Sequence, residues 1–344
     1  MESLPESVAS VAHLDSLLST PPPGVIQTLR RLDGDILVLG VGGKMGPTLA
    51  RMAARASREA GVERRIIGVA RFSNQELPGW LQKHGIEPLT ADLLDPRQIA
   101  KLPNAANVIA MTALKFGSAD RPGDTWAVNC WMSANICQRF AGSRIAAFST
   151  GNVYPLTLIK RGGSVETDPL TPVGEYAASC VGRERIYDYF SRSAGTPVSL
   201  LRLNYACELR YGVLVDLGRQ ILAAEPIDLS MGAVNVIWQG DANAIALQSL
   251  AHAASPPFVV NIAGPQLSVR SICEQLGELL NKPPIFTGFE GPDALLSNGQ
   301  LGHRLFGSPS VSIEQLCRWT ADWLLHGGEL LGKPTKFQVR DGRF

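Results

Sequence analysis

The stretch "VLGVGGKMGPTLARMAARA", Val38 to Ala56, decides the fold: it reads as a strand, a tight turn and then a helix. Within it Gly40, Gly43 and Gly46 stand in G-x-x-G-x-x-G spacing. Glycine permits the turn and lets backbone amides approach an anion at the helix N-terminus, where N–H groups and the helix dipole favour negative charge. A glycine triplet alone is weak evidence. Placed between a predicted first strand and first helix it gains the context that a pyrophosphate site requires, and the turn residues Lys44 and Met45 join the three glycines as candidate cofactor contacts. The alternative is a strand-to-helix turn with no ligand.

Around this turn the chain alternates short apolar runs with helical segments. "DILVLG" (35–40), "RIIGVA" (65–70), "NVIAMT" (107–112), "RIAAFST" (144–150), "PVSLLRL" (197–203) and "PFVVNIAG" (257–264) read as buried strands. Continuous apolar strands separated by amphipathic stretches predict parallel βαβ units, hence an α/β fold: a Rossmann-type doubly wound parallel sheet with a smaller C-terminal substrate lobe. The expected division is an N-terminal extension at 1–33, interrupted by "TPPPG" (20–24), and a dinucleotide-binding domain at 34–203 completed by about 232–264. Segments 204–231 and 265–330, richer in glycine and proline, form the substrate lobe, and 331–344 is a tail.

Composition narrows the function. The 344 residues are 45% apolar, enough for a large core, and 32 basic against 31 acidic residues leave a charge of +1, so no global field attracts nucleic acid or an anionic membrane. No run reaches the roughly 18 apolar residues that span a bilayer, and the opening residues lack a basic-then-apolar leader. Six cysteines at 130, 137, 180, 207, 273 and 317 form no C-x-x-C pair, and five histidines show no ligand spacing, so neither a disulfide framework nor a metal site is expected. A reducing cytoplasm fits.

An acidic residue at the end of the second strand would bind a ribose 2′-OH, whereas an arginine suits a 2′-phosphate. "GVARFS" (68–73) offers Arg71 and no carboxylate, which favours NADP over NAD; a solvated surface cation is the alternative reading of Arg71. Farther on, "GEYAASCVGRERIYDYF" (174–190) sets Tyr176 and Cys180 on one helix face, four residues apart.

The glycine turn, "FSTGNVY" and the Tyr176 helix, in this order, resemble the extended short-chain dehydrogenase/reductase family of the NAD-dependent epimerase/dehydratase type, over roughly residues 35–325. "TADLLD" (90–95) is similar to the family's third-strand segment, which implies an adenine contact at Asp92, with Leu93 beside it. "NVIAMTAL" resembles the segment lying along the cofactor, with Met111, Thr112 and Ala113 where the family has an alanine pair, and "AVN" (127–129) resembles the helix with a structural asparagine, Asn129. "SVRSICEQLGELL" and "LGHRLFGSPSVSIEQLCRWTADWL" are similar to the C-terminal lobe. The resemblance implies that Thr150 holds the substrate oxygen, with Ser149 in reserve, and that Tyr176, 26 residues on, moves a proton.

Two departures stand out. The family's lysine, which holds the nicotinamide ribose and lowers the tyrosine pKa, is replaced by Cys180. A neutral thiol provides no positive field and a thiolate would raise the tyrosine pKa. Lys115 is the first candidate for a substitute cation, against the plain reading of a solvated loop lysine; Arg183 and Arg185 follow on the Tyr176 helix. Second, Asp241 matches the end of a conserved-type turn, yet Ala233-Val234-Asn235 lacks the arginine that grips a nucleotide diphosphate in many members. Asn204 and Tyr205 in "LLRLNYA" line the substrate side or cap a turn. The resemblance further implies a homodimer through the helices near 125–140 and 173–190, the first rich in exposed-type aromatics. Two functions stay open: an NAD(P)-dependent oxidoreductase, epimerase or dehydratase acting on a carbonyl or hydroxyl small molecule, or an NAD(P)-binding regulatory protein without turnover.

Overall fold

The computed structural model describes residues 4–343, so Met1 to Ser3 of the extension and Phe344 of the tail lie outside the described residues. Seven strands, β1 (Ile36–Leu39), β2 (Ile66–Ala70), β3 (Glu87–Thr90), β4 (Asn107–Ala110), β5 (Arg144–Thr150), β6 (Val198–Leu203) and β7 (Phe258–Ile262), form one parallel sheet in the order β3-β2-β1-β4-β5-β6-β7. The order reverses between β1 and β4, which opens a crevice at the carboxyl ends of those strands. In register, Leu39 pairs with Val69 on one side and Ala110 on the other, so these three strands end level.

The six strands expected from apolar runs lie within the stretches that predicted them. β1 and β4 are buried at every position because helices cover both faces. The seventh strand, β3, has the sequence "EPLT" and partly exposed residues, so no apolar run announces it. As an edge strand it tolerates Pro88, which lacks a backbone donor. The segment "TADLLD" therefore contributes only Thr90 to the strand; its remainder is the loop that follows.

Helices α1 (Val11–Leu18), α2 (Pro23–Arg31) and α3 (Gly46–Glu59) come first. A bent rod follows, α4 (Pro122–Trp126), a π-helical turn at Ala127–Trp131 and α5 (Met132–Arg139), and then α6 (Gly174–Ala194), α7 (Val213–Ala223), α8 (Gln239–Ser249), α9 (Val269–Leu279) and α10 (Ile313–Leu325). One sheet face packs on α2, α3 and α8 through Val25, Leu29, Leu49, Met52 and Leu247, and the other on α5 and α6 through Ile136 and Tyr187. A third core joins α7, α9 and α10 through Leu217, Leu276 and Trp319. The extension is packed on both: Leu14 and Leu18 of α1 enter the third core while α2 lies in the first. Buried Asp15 accepts from Arg210 at 3.0 Å and ties the extension to the segment before α7.

Candidate active site

The turn after β1 has the geometry of a cradle. Gly40 has φ +85°, a backbone conformation that L side chains rarely adopt, and a Cβ there would press on the Met111 backbone at 3.2 Å. A Cβ on Gly46 would lie 2.4 Å from the Val41 carbonyl oxygen, so the first turn of α3 closes on the strand only with glycine. Gly43, by contrast, has only the Gly40 oxygen near its Cβ position, at 3.4 Å. The turn borders a cleft of about 340 Å³ lined by Gly40, Gly43, Arg71, Asp92, Met111 and Thr112, while Gly46 at the start of α3 packs against Val41 rather than lining it. Leu93 and Ala113 also line it. Asp92 accepts from the Leu94 amide at 2.9 Å, and Arg71 is exposed at the end of β2. A glycine turn and a cleft at the topological switch fit a dinucleotide.

A second, smaller cavity of about 170 Å³ is lined by Lys115, Ser149, Thr150, Tyr176, Asn204 and Tyr205, and also by Lys44 and Met45, which were expected at the cofactor cleft; Gly46 and Cys180 line neither cavity. β5 delivers Ser149 and Thr150 at its carboxyl end, and α6 brings Tyr176 alongside. The Tyr176 phenol hydrogen bonds with the Thr150 and Cys180 side chains, and burial pushes its pKa up, with the Cys180 thiol adding to the rise and Arg183 and the Thr150 bond opposing it. Ser149 is committed elsewhere. Its hydroxyl donates to Glu184 at 2.5 Å, and Glu184 in turn pairs with Arg202 at 2.8 Å, all three buried. Arg202 also donates to the Tyr154 hydroxyl at 2.6 Å, so "STGNVY" is braced from behind by an ionic network.

Cys180 is fully buried and accepts from the Arg183 guanidinium at 3.2 Å; burial raises its thiol pKa, so it stands as a neutral packing residue. Arg183 donates also to the Thr112 carbonyl at 3.0 Å, bridging α6 to the loop after β4. Of the two arginines weighed on this helix, Arg183 is the inward one and Arg185 is exposed. The loop after β4 is held by Asn129, whose side chain accepts from the Leu114 amide at 3.1 Å and donates to the Ser179 hydroxyl at 2.8 Å. A π-helical turn centred on Asn129 makes this reach possible.

Lys115 is not the solvated loop lysine of the plain reading. The loop directs it inward, with its ammonium 5.8 Å from the Tyr176 ring centroid and 5.7 Å from that of Tyr205, donating to the Thr335 carbonyl at 3.3 Å. Burial, reinforced by Lys336, lowers its pKa to about 8. Lys44 also points into this cavity: its ammonium lies 3.0 Å from the Tyr211 ring centroid, and burial together with Lys115 and Lys333 lowers its pKa to about 7. Sequence reasoning missed Tyr211, Gln239 and Thr335 as lining residues, since nothing in the local sequence marks them. Asn204 is buried, donating to Asn235 at 3.3 Å and Ser297 at 3.4 Å, while Tyr205 has φ +41°, a costly conformation for a bulky residue. Asp241 accepts from the Ser310 amide and hydroxyl and caps the join between α8 and the segment before α10. Among the described residues no cluster could hold a metal ion, and no helix is long and apolar enough to cross a membrane.

Comparison with known proteins identifies the family and bears out the fold. The model of the NAD dependent epimerase/dehydratase family matches residues 36–207. A search of curated proteins finds no significant match. Among solved structures the chain is similar to dTDP-glucose 4,6-dehydratase from Streptomyces venezuelae, solved with NAD bound, at 18% identity and a TM-score of 0.72 over 85% of this chain and 97% of that one. It is similar also to UDP-glucose 4-epimerase from Thermotoga maritima, with UDP-glucose, at 18% identity and TM-score 0.70 over 85% and 99% of the two chains. UDP-glucuronic acid 4-epimerase from Bacillus cereus, with UDP-glucuronic acid and NAD, gives 16% identity and TM-score 0.70 over 85% and 99%.

Proposed function

The chain belongs to the NAD dependent epimerase/dehydratase family, and from that premise we propose that it binds NAD or NADP and acts as an oxidoreductase, epimerase or dehydratase on a small carbonyl or hydroxyl compound of sugar-like character. The observation that carries this reading is the meeting of Thr150, Tyr176 and a buried ammonium, Lys115, in one cavity at the carboxyl end of the sheet. Gly40 and Gly43 would hold the pyrophosphate of a bound dinucleotide, with Gly46 letting α3 close on the strand and Asp92 toward the adenosine end. Arg71, exposed where a 2′-phosphate would lie, favours NADP. When bound, the nicotinamide supplies the hydride donor or acceptor.

The chain's own groups do the rest. Thr150 orients the substrate oxygen, and Tyr176, its pKa raised by burial, holds its proton at neutral pH and presents it to that oxygen. Lys115 brings an ammonium 5.8 Å from the Tyr176 ring where Cys180 provides none, and Arg183 is the cation that opposes the rise of the phenol pKa and favours loss of the proton in the reverse direction. The test is to measure NAD and NADP binding and then screen carbonyl and hydroxyl substrates with wild type and Tyr176→Phe. Tyr176→Phe is expected to keep dinucleotide affinity and lose about 10²–10⁴-fold in kcat, the usual worth of a positioned acid or base; unchanged turnover in the variant would sink the mechanism.

The high pKa of Tyr176 beside Cys180 supports one other reading, a dinucleotide-binding regulatory protein whose site does not turn over. On that reading dinucleotide binds and no substrate in the screen reacts. We also propose a homodimer through the rod of α4, the π-helical turn and α5 together with α6, where Trp131 of the turn is 55% and Tyr189 of α6 is 65% exposed.

A further inference from the structure

We propose that Lys44 and Lys115 form a subsite for the oxyanion, carboxylate or phosphate, of a small substrate, so that this site takes compact anionic hydroxy or oxo compounds. The inference rests on the function proposed above and names its substrate class. Two ammonium groups from separate segments, the glycine turn and the loop after β4, line the same cavity as Thr150 and Tyr176. Among the described residues no aspartate or glutamate lines it. The carboxylate acting on Lys44 is Asp216, which accepts from the Thr335 amide at 2.7 Å and the Thr335 hydroxyl at 2.6 Å.

The walls fit an anion of limited size. Lys44 rests on the Tyr211 ring and Lys115 lies near the rings of Phe116, Tyr176 and Tyr205, so both charges sit in aromatic, poorly hydrated surroundings where an oxyanion interacts strongly. The Tyr205 hydroxyl is buried and has no hydrogen-bond partner, although Tyr205 lines the cavity in its strained conformation. A donor held without a partner calls for an acceptor that arrives with the ligand. Burial lowers the pKa of both lysines, with Lys115 and Lys333 adding to it at Lys44 and Lys336 at Lys115, a cost that a bound anion reduces. At about 170 Å³ the cavity is below the roughly 300–1,000 Å³ of pockets that enclose drug-sized ligands. The tail borders it: Thr335 lines the cavity and its carbonyl accepts from Lys115, and Lys333 and Lys336 add positive charge nearby. The anchor is therefore assigned to a monoanion or monophosphate next to the reacting oxygen, at a place distinct from the arginine-less segment Ala233-Val234-Asn235.

The experiment titrates the full chain by calorimetry with inorganic phosphate and, separately, glycolate, with and without saturating dinucleotide. Wild type, Lys44→Met, Lys115→Met and the corresponding arginine variants are compared, with thermal unfolding to show that each is folded. Binding of at least one anion to the dinucleotide complex is expected, weakened about ten- to a hundredfold in each methionine variant, the worth of a charged hydrogen bond, and largely kept in the arginine variants. Which probe binds distinguishes a carboxylate from a phosphate substrate. No binding of either anion overturns the proposal, as does binding that survives both methionine substitutions. Anions that compete with the dinucleotide, in variants that lose dinucleotide affinity, assign the lysines to the cofactor's own pyrophosphate and also overturn it. Should no dinucleotide bind at all, the proposed function fails on its own account, while the titration without dinucleotide still decides for or against the lysine subsite.

Discussion

Restoring the family lysine, Cys180→Lys, is expected to damage this protein. Cys180 is fully buried and Arg183 is nearly so, with the guanidinium 3.2 Å from the thiol sulfur and 3.0 Å from the Thr112 carbonyl. A lysine at 180 places a second positive charge in that space. At a separation of about 5 Å and an effective dielectric near 20, two like charges repel by roughly 3 kcal/mol. Fitting the longer side chain into a packed position adds about 1–3 kcal/mol. The expected loss, about 4 kcal/mol or more, is a large part of the 5–15 kcal/mol that a typical domain holds in reserve. Urea unfolding of wild type, Cys180→Lys, Arg183→Met and the double variant measures it. The double variant is expected to recover at least about 2 kcal/mol relative to the sum of the single changes, the coupling expected of two charges in contact. A Cys180→Lys protein within about 1 kcal/mol of wild type, or a cycle with no coupling, would refute the reasoning that the Arg183 guanidinium fills the space beside residue 180. The double variant, rather than Cys180→Lys alone, is thus the protein in which to look for increased turnover.

Three further outcomes are expected. Glu184→Gln leaves Arg202 buried without its ion pair and weakens the Ser149 contact, at a cost of about 3–5 kcal/mol read by denaturant unfolding; a loss under about 1 kcal/mol would contradict the bracing role of this network. Lys44 titrates near 7 in the fold against about 10.4 in the unfolded chain, so between those values the unfolded chain binds more protons and stability rises with pH. Lys44→Met is therefore expected to melt above wild type at pH 6–7, with the gap closing as pH rises toward 10; a gap independent of pH would count against the lowered pKa. Trp131→Glu is expected to convert a dimer to monomer in sedimentation velocity, and a wild type that sediments as monomer removes the dimer proposal.

The sheet was legible because burial on both faces forces long apolar runs. β5 extends over Arg144–Thr150, the whole of "RIAAFST", since every residue after Arg144 is enclosed. β3 was hidden for the opposite reason. An edge strand pairs on one side only and needs neither apolar residues nor every backbone donor, so "EPLT" carries no period to read. The glycine turn was readable to the residue because Gly40 and Gly46 answer to steric limits that no other side chain meets, and such limits are local.

The site itself divides along the same line. Thr150 and Tyr176 were implied by the family resemblance, and a strand end with a helix beside it brings the two together at one cavity. The charge around Tyr176 was not legible in this way, since it is assembled from distant segments: Lys44 from the turn, Lys115 from the loop held by Asn129, and the Thr335 carbonyl from the tail. Cys180 looked like the loss of a cation. In the fold it is instead the sulfur that lets Arg183 turn across α6 and reach the Thr112 carbonyl, and the cation facing Tyr176 from the cavity is Lys115. A substitution within a sequence pattern thus reports only which atom is missing at that position. What the site gains in exchange depends on neighbours whose separation in sequence, 65 residues from Lys115 to Cys180, exceeds the reach of any helical or strand period.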